Sequence, residues 1–176
     1  VGKPGKEDRQ RPIWHGGILS ELCKRPPMPF RLANPAAFLD LEVRPGECLW
    51  MSKRDASSFF DTLAAPKDIQ GWFAFPPLRC SDLVSRLPGS WEALNGLVDG
   101  HSGVLTQRPT LYPCSTSWPM GFSWSSSVAQ ATTVGLALEA GLREDQIVCD
   151  SHAFPPDQSE VAMVVADDVL FFHRSE

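Results

Sequence analysis

The sequence lacks the spacings that mark short metal and nucleophile motifs. Its five cysteines show no CxxC or CxxH spacing, and its four histidines are scattered. We therefore expect reduced, mostly buried thiols rather than a zinc site. The serines around Ser125 contain no Gly-x-Ser-x-Gly elbow, which argues against a hydrolase nucleophile.

Long apolar runs and repeats are also missing. No run of eighteen apolar residues occurs, and no signal-peptide pattern or internal repeat is present. These absences predict an intracellular chain, in the cytoplasm or nucleus, without a membrane partner. A length of 176 residues and an apolar content of 43% are enough for one sizeable domain with a real core.

Two apolar segments near the end of the chain, residues 161–166 and 169–172, flank the adjacent acids Asp167 and Asp168. This pattern predicts a β-hairpin with its acids at the turn. The carboxylates repel each other, and no Lys or Arg follows them until Arg174, which favours a bound cation such as Mg²⁺. A solvated turn is the alternative, because Asp is also a common turn residue.

A second acidic position lies far upstream, where Asp55 ends a strand predicted to begin at Cys48. An acid at a strand end and an acidic pair on a distant hairpin can converge on two metal ions about 4 Å apart, as in nucleotidyl transfer. Between them, a loop of Pro and Gly at residues 118–124 leads into a helix predicted over residues 125–140. Gly121 would allow close approach of a ligand, and the helix N-terminus favours negative charge. The predicted inner face of this helix comprises Val128, Thr132, Leu136 and Leu138.

Three of these segments, in this order, resemble the motifs of the reverse transcriptase palm in retroelements. Residues 53–61 (KRDASSFFD) resemble the first motif, and residues 165–168 (VADD) resemble the third. Residues 119–122 and 125–130 together resemble the second. The basic segment at residues 3–14 resembles the fingers segment that holds the incoming triphosphate.

The resemblance implies an α+β fold, a polymerase palm with an antiparallel sheet and helices packed on one face, plus partial fingers. Residues 1–35 would be the partial fingers and residues 36–176 the palm, with an insert at about residues 67–110 and no thumb. Charge fits this division, since residues 1–31 carry seven Lys and Arg against three Asp and Glu. A basic finger above an acidic palm is compatible with the net charge of −5.

The resemblance also implies a set of metal ligands. The expected cofactor is two ions of Mg²⁺, with Mn²⁺ as a substitute. Asp55 and Asp167 would bridge the ions, Asp168 would support them, and the Ala56 carbonyl would add a backbone ligand.

A second set of residues would bind the nucleotide. Lys6 and Arg11 would hold the triphosphate, and Phe60 would pack under the sugar and exclude a 2′-hydroxyl. Gly121 and Phe122 would line the nucleotide and template side. From the residues alone, Phe60 is equally interpretable as a core side chain.

The implied function is that of an RNA-directed DNA polymerase. Its partners would be an RNA or DNA template with a primer, and deoxynucleoside triphosphates. A thumb and any nuclease or integrase domain would belong to the remainder of a parent polyprotein. The alternative is an inactive or domesticated palm fragment that serves as a nucleic-acid-binding or interaction module.

Overall fold

The structure is a computed structural model with two compact units. The first unit comprises residues 1–64 and 118–176, and the second comprises residues 65–117. The predicted insert at residues 67–110 falls within the second unit. The described residues are 2–3, 6–10, 13–29, 31–86, 90–98, 110–150, 154 and 158–175.

Both units combine helices with strands, which agrees with the predicted α+β class. The strands are β1 (Gly2–Lys3), β2 (Lys6–Gln10), β3 (Cys48–Asp55), β4 (Leu78–Arg79), β5 (Thr110–Leu111), β6 (Ile147–Val148), β7 (Glu160–Val165) and β8 (Asp168–Ser175). The α-helices are α1 (Gly17–Leu22), α2 (Phe59–Thr62), α3 (Lys67–Gln70), α4 (Cys80–Val84), α5 (Ser90–Leu97) and α6 (Ser123–Glu139). Short 3₁₀ helices span Pro35–Asp40, Gly71–Phe73 and Glu144–Gln146.

The main sheet of the first unit has the strand order β3-β8-β7-β6. The predicted hairpin is confirmed, because β7 and β8 pair antiparallel with Val165 opposite Asp168. β3 pairs antiparallel with β8 along its whole length. The sheet departs from the predicted antiparallel pattern at β6, which pairs parallel with β7.

The two faces of β7 and β8 pack against different elements. Val161, Met163 and Phe172 share one buried cluster with Ala37 of the first 3₁₀ helix. On the opposite face, Val164 packs in a cluster with residues of α6 and β6. At β7 and the adjoining part of β8, the sheet is therefore covered on both faces, whereas β3 is largely exposed. The prediction of helices on one face is wrong in that detail. The cause is a 3₁₀ helix that closes the second face.

Helix α6 confirms the predicted helix, but its buried face was predicted wrongly. Leu136, expected on the inner face, is 54% exposed. Small and polar side chains let the helix lie close to the sheet, whereas the prediction followed the larger apolar residues. The buried positions of α6 are Ser125, Ala129, Gln130, Thr133 and Val134.

The cysteines correct another expectation. All five are free, but Cys48 and Cys114 are exposed and Cys23 is half-buried. Only Cys80 and Cys149 are buried, so the thiols are not mostly buried. Spacing along the chain gives no information on which face of an element a cysteine occupies.

The second unit has its own small apolar cluster. Cys80 of α4 and Leu94 of α5 form its buried centre, and Leu111 of β5 packs against it. β4 and β5 pair antiparallel with Leu78 opposite Leu111. Within the part of the chain that is described, none of the helices combines the length and apolar content needed to cross a membrane.

Neighbouring phenylalanines on β8 allow a direct test of the first core. Phe172 is 3% exposed and lies edge-on to Phe154, whereas Phe171 on the opposite face is 37% exposed. We expect Phe172→Ala to lower the free energy of unfolding by about 3 to 5 kcal/mol. Phe171→Ala should cost only about 1 to 2 kcal/mol, because part of its ring is already in water. Urea unfolding followed by circular dichroism measures both, and equal losses would contradict this core.

Candidate functional site

The pairing of β3 with β8 brings two of the predicted metal ligands together. Asp55 lies directly opposite Asp168 in the register of the two strands. Residues directly opposite each other in antiparallel strands project from the same face of the sheet. Asp167 occupies the turn just before β8, and its carbonyl oxygen lies 3.4 Å from the amide nitrogen of Ala56. The four predicted metal-site residues therefore lie side by side at one end of the strand pair.

Lys53, on the same strand as Asp55, supplies a positive charge beside the acids. The Nζ atom of Lys53 donates a hydrogen bond of 2.7 Å to Oδ2 of Asp168. Lys53 lies two residues before Asp55, so both side chains project from the same face. The pKa of Lys53 is raised, above all by the hydrogen bond to Asp168. Loss of hydration opposes this rise, and the charges of Asp168, Asp55 and Asp167 add to it.

The expectation of a bound metal cation at this turn stays a prediction, but the structure removes one of its premises. It rested on the absence of a cation beside the acids in sequence, but strand pairing brings one from β3. A lysine spaced two residues from an acid in a predicted strand was the available signal. That spacing indicates that the two side chains share a face of the strand, but it does not show which distant strand pairs with β3.

The ligand chemistry of the three acids suits a hard cation. Carboxylate oxygens are the ligands that Mg²⁺ prefers. Among the described residues, however, no group of three His, Cys, Asp or Glu side chains is arranged to hold a metal ion. As described, the site is a half-exposed ion pair between Lys53 and Asp168, with Asp55 opposite.

The predicted nucleotide-binding residues that are described lie in different elements of the chain. Lys6 lies in β2, and Arg11 lies outside the described residues. Phe60 is half-buried in α2 and packs in a cluster with Phe59 and Ala129. This position agrees with the alternative that Phe60 is a core side chain.

Phe122, which was predicted to line the nucleotide and template side, is buried. It is 5% exposed and stacks on Trp118 with ring centroids 6.1 Å apart. Trp14 meets it edge-on at 6.3 Å. The aromatic residue that ends the glycine loop therefore anchors the loop in the core, because burying its ring against two indoles is more favourable than exposing it.

Gly121 is required by the protein backbone rather than by a ligand. Its φ of +111° is unfavourable for any residue with a side chain, and an added Cβ would collide with the carbonyl oxygen of Trp14. The N-terminus of α6 is also occupied, because the amide of Ser123 donates to the Ser20 hydroxyl at 3.1 Å. The predicted close approach at Gly121 is thus made by residue 14.

The sequence analysis missed Gln130, a polar residue on the inner face of α6. It is 1% exposed. Its side-chain amide donates to the carbonyl oxygens of Val164 and Arg31, and its Oε1 atom accepts from the amide of Ala166. One signal was its position at the end of the segment that resembles the second motif. Periodicity, however, places this long polar side chain between Ala129 and Ala131 on no particular face.

The site therefore contains two facing carboxylates, a third in the adjoining turn, and a lysine. Comparison of the chain with protein-family models, with curated proteins and with solved structures finds no match. The chemistry of the site is argued below from its own side chains.

The ion pair makes a prediction about titration. We expect nuclear magnetic resonance to show a pKa for Lys53 above 10.5. Because the pKa is raised in the folded chain, the stabilisation is present at neutral pH and is lost as the pH rises through the folded pKa. Asp168→Asn should return the pKa towards its usual value, whereas Asp61→Asn, at an exposed carboxylate of α2, should leave it unchanged. A Lys53 pKa that does not respond to Asp168→Asn would contradict the pairing.

Two glycines provide a matched test of the loop. Gly121→Ala should cost about 1 to 3 kcal/mol of unfolding free energy from backbone strain alone, with the collision at Trp14 adding to it. Gly135 lies inside α6 with nothing near an added Cβ, so Gly135→Ala should stabilise the chain by up to about 1 kcal/mol. Thermal and urea unfolding measure both. A neutral Gly121→Ala would show that the loop has a different conformation.

Proposed function

We propose that this chain is a palm of the reverse transcriptase type, with RNA-directed DNA polymerase activity. One observation carries the proposal. Asp55 lies opposite Asp168 on one face of the sheet, beside the turn that holds Asp167. These are the acids of the first and third motifs, which lie far apart in the sequence and meet only through this strand pairing.

The second motif supports the same proposal through its place in the fold. Helix α6 follows the glycine loop and packs against β7. Gln130 from this helix contacts the turn before the acids. Three segments that resemble polymerase motifs in sequence are thus parts of one packed arrangement. Two-metal nucleotidyl transfer requires carboxylates that are close together, and this strand pairing brings the backbone positions of the three acids together.

In this proposal, Asp55, Asp167, Asp168 and the Ala56 carbonyl would hold two ions of Mg²⁺ or Mn²⁺. When bound, the ions would favour the ionised primer 3′-hydroxyl and neutralise the triphosphate. Lys53 would first have to leave Asp168. Its side chain is 55% exposed, so it can turn into solvent without disturbing the core.

The substrates would be deoxynucleoside triphosphates and a primer paired with an RNA or DNA template. Lys6 and Arg11 remain the proposed triphosphate contacts. Phe60 is no longer proposed as a sugar contact and is retained only as a neighbour of the site. Its ring packs against the ring of Phe59, with centroids 6.3 Å apart. Phe122 is no longer proposed as a nucleotide contact, since it is buried.

A second candidate is a palm without turnover that binds nucleic acid or another partner. The Lys53–Asp168 contact favours it, because the lysine already neutralises one of the proposed metal ligands at 2.7 Å. In this case the carboxylates would stabilise the strand pair, and no divalent cation would be needed.

Metal binding and primer extension separate the two candidates. A polymerase should bind Mn²⁺ at the acids, and thermal denaturation should then shift upward with Mn²⁺ concentration by mass action. We expect the shift to be lost in Asp55→Asn/Asp167→Asn and kept in Asp61→Asn. Extension of a DNA primer on an RNA template, with the same variants, measures turnover.

The outcomes assign the function. A Mn²⁺-dependent shift with primer extension, both lost in the double variant, supports the polymerase. A shift without extension favours the second candidate with a retained cation site. A shift that is unchanged in the double variant means that the metal binds elsewhere, which contradicts the proposed metal site and leaves the second candidate, which needs no divalent cation.

A further inference from the structure

Gln130 has all of its side-chain hydrogen-bonding groups engaged inside the first unit. Nε2 donates to the carbonyl oxygen of Val164 at 3.0 Å and to that of Arg31 at 3.1 Å. Oε1 accepts from the amide of Ala166 at 2.7 Å. A buried amide is stable only when it is hydrogen-bonded in this way.

Two of these hydrogen bonds, at Val164 in β7 and at Ala166 just after it, take the place of bonds to a neighbouring strand. A carbonyl and the amide two residues later project from the same edge of a strand, and here they are Val164 and Ala166. β6 pairs with β7 only as far as Met163. Beyond that point, the primary amide of Gln130 takes the place that the next peptide group would occupy.

The turn needs such support because of the residue that forms it. Ala166 has a φ of +54°, in the left-handed region. A residue other than glycine held there costs of order 1–3 kcal/mol and persists only where the surroundings fix it. The hydrogen bond from the Ala166 amide to Gln130 fixes the residue immediately before Asp167.

We propose that Gln130 is a positioning residue, which sets the Asp167–Asp168 turn against Asp55. It does so through Ala166 and touches none of the carboxylates itself. The consequence for cation binding rests on the function proposed above. The consequence for the conformation of the turn does not.

The test uses the full chain with Gln130→Met and a matched control. Methionine has a similar length but leaves Ala166 and Val164 without their partner. Thr133→Val is the control, because Thr133 is also buried on α6 and its hydroxyl donates within the helix, to the carbonyl of Ala129. Both variants are compared with wild type at a temperature where all three are folded.

Two measurements follow. Hydrogen exchange of the Ala166 amide should be at least about tenfold faster in Gln130→Met than in wild type, and unchanged in Thr133→Val, after correction for global stability. Mn²⁺ affinity, from titration of the free ion by electron paramagnetic resonance, should fall at least about tenfold in Gln130→Met alone, as for lost partners of metal ligands.

Unchanged Ala166 exchange in folded Gln130→Met would overturn the proposal. Faster exchange with unchanged Mn²⁺ affinity would overturn it as well, because the turn would then be held without positioning the acids. If wild type itself binds no Mn²⁺, the proposed function fails separately. The inference is then decided by the amide resonances of Asp167 and Asp168, which must shift in Gln130→Met and not in the control.

Discussion

The register between β3 and β8 is the constraint on which the rest of the first unit depends. It places Asp55 opposite Asp168, and it brings Lys53 within hydrogen-bonding distance of the same carboxylate. A slip of one residue would move every side chain of β3 to the other face of the sheet. The acids and the lysine would then separate together. The packing of Leu49 and Phe172 in the apolar core cluster therefore also keeps the acids and the lysine together at the other end of the strands.

The two ends of the β7–β8 hairpin are held by different physical means. At its open end, the aromatic ring of Phe172 is buried among apolar groups. At the turn, where the acids require contact with water, hydrogen bonds replace apolar packing. Gln130 binds the inner side of the turn, and Lys53 binds the acid that follows it. A chain that carries charged groups at the edge of a core needs both kinds of restraint.

Local patterns predicted the elements well, because they depend on neighbouring residues. The hairpin, β3 and α6 all follow from apolar runs and turn residues. The features that the sequence did not predict share another cause. The buried face of α6 and the burial of Phe122 depend on which distant segment packs there, and the Lys53–Asp168 pair depends on strand register. Periodicity within one segment contains none of this information.

Chain connectivity gives the β3–β8 pairing a kinetic consequence. The β7–β8 hairpin closes over a two-residue turn, whereas β3 must close a loop that includes the whole second unit. Local contacts form before distant ones, because closing a long loop costs chain entropy that only later contacts repay. We therefore expect the hairpin to form early and β3 to dock late. The acidic cluster would then be complete only at the end of folding, so repulsion between Asp55 and the two acids of the hairpin would not oppose the earlier steps. Lys53 would arrive at the same time as Asp55, because both lie on β3.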